Sequence, residues 1–160
     1  MYVRWLKNLS PVKSMWPKPQ WSGLCVADAF ATGQHGGIGG VINFPNGQCC
    51  WFSLPLSHSV FVALQIPVHD NLQKDIASLE TLAQIALVYI TIQHFPGPRI
   101  PLKIPMLPDN TTAESLSNKL FSTNMPIALF LEKLSLLLSM SHIDAHISHI
   151  PGHSNDYADA

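Results

Sequence analysis

Leu24-Cys25-Val26-Ala27-Asp28-Ala29-Phe30, followed by Gly36-Gly37-Ile38-Gly39-Gly40-Val41-Ile42, is the stretch of this 160-residue chain whose reading decides the fold. An apolar run that delivers a carboxylate, then a glycine-rich turn, then a second apolar run, predicts two antiparallel strands with Asp28 on a sheet face. Aspartate is disfavoured in strands, and a charge among core residues is costly unless it is paired or binds a metal. Two readings account for Asp28: a strand-end residue that makes a turn, or a ligand. Partners elsewhere in the chain decide between them.

Outward from this hairpin, Gln48-Cys49-Cys50-Trp51-Phe52-Ser53-Leu54 predicts a third strand, set off by the turn signal Pro45-Asn46-Gly47. Pro55 to Asp70 has no clear period and reads as a surface connection. Asp70, with Gln73 three residues on, is a candidate helix start, but the helical signal is clear only from Ile76. Leu79, Leu82, Ala83, Ala86, Leu87 and Ile90 then mark one apolar face, ended by Pro96-Gly97-Pro98. Glu80 stands beside Leu79. Spacing alone sends it to water, whereas a helix crossing the first hairpin would bring its carboxylate toward Asp28, where two like charges need a cation.

Ile100 to Leu107 reads as a strand whose prolines suggest an edge or a bulge. It hands over to Pro108-Asp109-Asn110-Thr111-Thr112-Ala113-Glu114-Ser115, where Asp109 or Asn110 is placed to cap a short helix to about Lys119. Asp109 is equally a plain cap or a metal ligand. Phe121 to Met125 reads as a loop, and Pro126 suits the first turn of a helix with Ile127, Phe130, Leu131, Leu134, Leu137 and Leu138 on one face and Glu132 and Lys133 off it. From Ser141 the period changes to two, with Ile143, Ala145 and Ile147 alternating with Asp144, His146 and Ser148, which predicts a strand. Pro151-Gly152 breaks it, and residues 153–160 read as the start of a helix.

Composition excludes several classes. With 47% hydrophobic and 12% charged residues, the chain is not disordered, and its length suits one domain. Residues 1–20 hold Arg4, Lys7, Lys13 and Lys18 and no acid, a charge of +4 against −5 for the remainder. With Trp5, Trp16 and three prolines, this segment reads as a basic arm or linker rather than core, which leaves residues 21–160 as the domain. No apolar run has the length of a membrane span, and the N-terminus lacks the apolar centre of a signal peptide, so the expectation is an intracellular protein, cytoplasmic or nuclear, with no membrane partner. Cys25, Cys49 and Cys50 lack CxxC spacing and suit buried free thiols. His142, His146, His149 and His153 raise a zinc reading, which strand alternation weakens by sending His149 to the face opposite His142 and His146.

The assembled order, with Ser78-Leu79-Glu80-Thr81-Leu82-Ala83, Pro108-Asp109-Asn110-Thr111-Thr112-Ala113, and the terminal Ile150-Pro151-Gly152-His153-Ser154-Asn155 and Ala158-Asp159-Ala160, resembles the ribonuclease H domain of reverse-transcribing retroelements over about residues 22–160. The resemblance implies an α/β ribonuclease H-like fold: a mixed five-stranded sheet, three antiparallel strands then two parallel, flanked by helices. It implies that Asp28, Glu80, Asp109 and Asp159 are four carboxylates holding two magnesium or manganese ions, with Asp156 the rival for the last place. His153 matches a mobile histidine near the scissile phosphate. The implied activity is hydrolysis of the RNA strand of RNA–DNA hybrids, with a fused or associated reverse transcriptase domain as partner. The family normally continues with Leu-Ser-Arg after Ala158-Asp159-Ala160, so the final helix is expected to be truncated. A catalytically silent docking or spacer domain of a polymerase polyprotein, and a nuclease of the same fold acting on DNA, are the alternatives.

Overall fold

In the computed structural model, which describes residues 25–44, 46–94, 102–107, 120–141 and 143–147, the opening stretch forms strands β1 (Cys25–Thr32) and β2 (His35–Asn43). They pair antiparallel from Cys25↔Ile42 to Thr32↔His35, and Gly33 takes the positive φ of 58° that the two-residue turn demands. Strand β3 (Cys49–Ser57) lines the far side of β2, from Asn43↔Cys49 to His35↔Ser57. Strand β4 (Leu102–Leu107) runs parallel to β1, and β5 (Ile143–Ile147) runs parallel to β4. The order β3-β2-β1-β4-β5 is the expected mixed sheet, three antiparallel strands followed by two parallel ones.

β1 is central because its first three residues have no polar side to give to solvent: Cys25, Val26 and Ala27 are all at most 1% exposed. β4 is interior too, which corrects the reading of its prolines as an edge. Among the described residues its pairing with β1 begins only at Met106, so Pro105 faces a ladder partner, His146, on the β5 side alone.

The connection expected over Pro55 to Asp70 is shorter than the sequence suggests. β3 continues to Ser57, and a helix, α1 (His58–Ala63), follows at once, held by burial of Leu56 and Phe61 and by the His58 N–H donating to the Gln34 carbonyl at 2.9 Å. Its start has no side-chain cap, which removed the signal that marks most helices. A 3₁₀ turn (Leu72–Asp75) then leads into α2 (Ile76–His94). Asn71, not Asp70, caps that turn, accepting from the Gln73 N–H at 3.0 Å, while Asp70 turns outward to His58 at 3.5 Å. Asp75, only 4% exposed, accepts the His69 N–H at 2.7 Å and lies 3.0 Å from its Nδ1; the Leu72 N–H donates to the Gly33 carbonyl at 2.7 Å. The start of α2 is thereby fastened to the tip of the β1–β2 hairpin.

α2 packs on β1 and β2 and on the last helix, α3 (Ile127–Ser141). Its buried surface is far wider than one apolar stripe: Ser78, Glu80, Thr81, Gln84, Ile85, Val88 and Thr91 are buried along with Leu79, Ala83 and Leu87. Thr81 and Thr91 satisfy their hydroxyls within the helix, on the carbonyls of Ala77 and Leu87. The segment Leu72–His94 also has the length and apolar composition of a membrane span, at a mean hydropathy of 1.4, contrary to the expectation that no run does. Here it is a core helix. α3 buries Ile127, Phe130, Leu131 and Leu134 and exposes Glu132 and Lys133, as its periodicity predicts. The basic arm at residues 1–20, the ending of α2 by Pro96-Gly97-Pro98, the short helix after Asp109 and the terminal segment from Ser148 lie outside the described residues.

All three cysteines are free, but only Cys25 is buried; Cys49 alternates outward on the outermost strand and is exposed. Burial pushes the Cys25 thiol up from 9.0 to about 12. The fold therefore favours the neutral thiol: this stabilisation is complete below about pH 9 and is lost as pH rises toward 12, amounting to at most about 4 kcal/mol. In urea unfolding from pH 8 to 11, the stability gap between wild type and Cys25→Ala should narrow as pH rises. A constant gap would show that Cys25 is not held in the apolar setting described.

Candidate active site

Strand alternation assigns Asp28 its direction. Cys25, Ala27, Ala29 and Ala31 pack toward the core beneath α2, so Asp28, like Val26 and Phe30, belongs to the opposite face of the sheet. Its carboxylate is half-buried, its Oδ1 accepts the Ala29 N–H at 2.7 Å, and Gly39 stands across from it on β2. Asp28 is therefore a strand-interior residue, not the strand-end turn residue of the alternative reading.

Glu80 comes from the other layer. It sits in the second turn of α2 and is 2% exposed, so the solvated position that its spacing suggests is wrong. The reason is the width of the buried surface of α2, which is covered by the sheet on one side and α3 on another. A carboxylate taken this far from water is stabilised by hydrogen bonds and by cations. One turn further on, Gln84 is fully buried, and its Oε1 and Nε2 have no hydrogen-bond partner. Glutamine at an apolar-face position gave no sequence signal of burial.

Asp109, His153, Asp156 and Asp159 lie outside the described residues, as do His142 and His149; for His146 the backbone pairing with Pro105 is what the structure gives. The register into the first of them is nevertheless informative. β4 pairs Met106 with Cys25 and Leu107 with Val26, and Asp109 follows Leu107 in sequence by two residues, as Asp28 follows Val26. Among the described residues no three of His, Cys, Asp or Glu come together as a metal-holding group. Cys50 Sγ lies 3.5 Å from His94 Nε2, a pair that joins β3 to the end of α2.

No family model matches this sequence, and no characterised protein matches it. Solved structures do. The ribonuclease H1 of the halophilic archaeon Halobacterium salinarum aligns with 86% of this chain and 91% of its own, at 17% identity and a TM-score of 0.59. LC11-RNase H1, solved in complex with an RNA/DNA hybrid, covers the same shares at 16% identity and a TM-score of 0.60. The prototype foamy virus protease-reverse transcriptase aligns with 94% of this chain over 21% of its own length, at 20% identity and a TM-score of 0.59. The chain has the ribonuclease H fold, in the form shared by free-standing ribonucleases H1 and by a protease-reverse transcriptase.

Asp28 and Glu80 offer oxygens only, the ligand type that magnesium and manganese select. Magnesium or manganese should therefore raise the melting temperature of the wild-type chain by several degrees, at roughly 3 °C per kcal/mol for a chain of this size. Glu80→Gln should lose most of that response. Equal metal-induced shifts in the two proteins, read by calorimetry, would remove Glu80 from the ligand set.

Proposed function

We propose that this chain is a metal-dependent endonuclease of the ribonuclease H type, cutting the RNA strand of RNA–DNA hybrids. The observation that carries the proposal is the parallel register of β1 and β4 next to a buried glutamate. Asp28 and Asp109 each follow the paired residues Val26 and Leu107 by two positions, and Glu80 is supplied from the helix layered on the same strand. A carboxylate on the central strand and another from the helix that covers it suit the ribonuclease H fold.

In this reading Asp28, Glu80, Asp109 and Asp159 would hold two magnesium or manganese ions, whose chemistry when bound would be to lower the pKa of an attacking water and to neutralise charge on the leaving oxygen. The half-buried Asp28, its Oδ1 already fixed by the Ala29 N–H, is pre-oriented and needs little ordering on loading. Glu80 is screened from bulk water by α2 packing, which strengthens its attraction to any cation it meets. His153 serves proton transfer or product release rather than metal holding. The hybrid is read by shape and 2′-hydroxyl contacts, not by sequence. A reverse transcriptase domain, fused or associated, is the proposed partner in an intracellular setting, adding to the few cations among the described residues. Lys74, Lys103 and Lys133 are the lysines and arginines among the described residues.

That scarcity of cations favours a second reading, in which the domain is silent and docks a polymerase. A labelled RNA–DNA hybrid in magnesium decides between them. The chain should cut the RNA strand and leave 5′-phosphate ends. Asp28→Asn and Asp109→Asn should each reduce the rate by at least 10³-fold, and His153→Ala by roughly 10- to 100-fold. Asp159→Asn should cost more than Asp156→Asn. A wild-type chain that binds the hybrid and leaves its RNA intact in both magnesium and manganese would establish the silent reading instead.

A further inference from the structure

The face of the sheet that carries Asp28 has a relief that the catalytic reading does not use. Three cross-strand rows follow from the register. Asp28, Gly39 and Ser53 form the middle row; Phe30, Gly37 and Pro55 form the row on the hairpin side; Val26, Val41 and Trp51 form the row on the other side. The middle row is floored by small residues. The rows beside it carry two of the most exposed large side chains in the described residues, Phe30 at 63% and Trp51 at 76%. At about 3.4 Å per residue the two flanking rows lie about 14 Å apart along the strands, room for one sugar–phosphate strand between Phe30 on β1 and Trp51 at the diagonally opposite corner on β3, while Val26, at the other end of the Trp51 row, is buried.

The Phe30 ring is held in place. A Cβ added at Gly37 would lie 2.5 Å from its Cε1 and 3.0 Å from its Cζ, so the ring lies directly over the bare backbone of its cross-strand partner. One side of the ring is thus seated on Gly37 while much of its surface stays open to solvent. Glycine inside a strand marks a place where another group approaches the backbone closely. At Gly37 that group is Phe30. At Gly39, across from Asp28, the Phe52 carbonyl, at 3.4 Å, is the one group among the described residues that comes near an added Cβ.

We propose that Phe30 and Trp51 are the walls of a substrate trough that seats the RNA strand across Asp28, their rings packing on the apolar faces of the riboses. This inference rests on the nuclease reading, since it takes the occupant of the trough to be the strand that is cut. Aromatic surfaces hold nucleic acid without reading sequence and need no positive charge, which suits a face poor in lysine and arginine. Continuity with Asp28 selects this occupant over a protein: the trough's floor is the row that contains the carboxylate. Gly39 keeps that floor low enough for a sugar–phosphate strand to reach Asp28.

The test is a steady-state series on the RNA–DNA hybrid, together with hybrid binding in calcium and sedimentation of the free protein. Phe30→Ala and Trp51→Ala should each raise KM and the dissociation constant roughly ten-fold, the size of one lost aromatic contact, with kcat within two-fold of wild type. Phe30→Trp should restore binding. Gly37→Ala, which dislodges the ring while leaving Phe30 in the chain, should reproduce the Phe30→Ala defect with little change in melting temperature. Unchanged KM and binding in an active series overturn the trough and leave the nuclease reading intact. A wild type that binds hybrid but does not cut it, with binding lost in Phe30→Ala, overturns the nuclease and keeps the trough. A wild type that self-associates, with Trp51→Ala abolishing the association and not hybrid binding, assigns the face to a second copy of the chain and overturns the proposal.

Discussion

Everything in this structure depends on what happens along the eight residues of β1. Cys25, Val26 and Ala27 are closed off on both faces, and from Asp28 onward the outer face opens. A strand buried on both sides must be central, which requires neighbours on either edge and a helical layer above. The antiparallel hairpin supplies one neighbour and the parallel β4 the other; α2 supplies the layer. An acid at the point where burial relaxes can stay half-wet while being held by a rigid strand. The same transition fixes which face the acid shares, and hence why Phe30, two residues along, is exposed although its type suggests core.

Much of the fold was legible because the periodicities are strong. The first hairpin announces itself by glycines between apolar runs, α2 by its pattern from Ile76, α3 by Ile127, Phe130, Leu131 and Leu134, and β5 by the switch to alternation at Ile143. What was not legible has physical causes. α1 has no side-chain cap and spans six residues, too few for a period to declare itself. Pro105 argues for an edge from within the strand, but its place depends on where β1 begins, a fact about another segment. Asn71 competes with Asp70 for one cap, and the choice is made by His58, thirteen residues upstream.

For the site, local pattern and resemblance disagreed, most clearly at Glu80. Helical spacing sends it to solvent, whereas similarity to retroelement ribonuclease H domains makes it a ligand, and the structure buries it. Periodicity fails there because α2 is covered on more than one side, so polar residues beside the apolar stripe are buried with it. Gln84 and Thr91 follow for the same reason. Phe30 and Trp51 were missed in the opposite sense. The parity of Phe30 with Asp28 was present in the sequence, whereas that of Trp51 depends on the β2–β3 register, and large apolar residues on a strand are ordinarily assigned inward.

The length and apolarity of Leu72–His94 bear on how the chain is made rather than on how it works. This segment is synthesised before α3, which completes its burial, so for a time it is a hydrophobic stretch with the profile of a membrane anchor. Glu80 lies well inside it. A charged residue near the middle of such a segment costs about 3 kcal/mol on insertion into a bilayer. The carboxylate assigned here to the active site therefore also biases the nascent helix toward folding in water, and a lineage that lost the acid would lose that safeguard together with the chemistry.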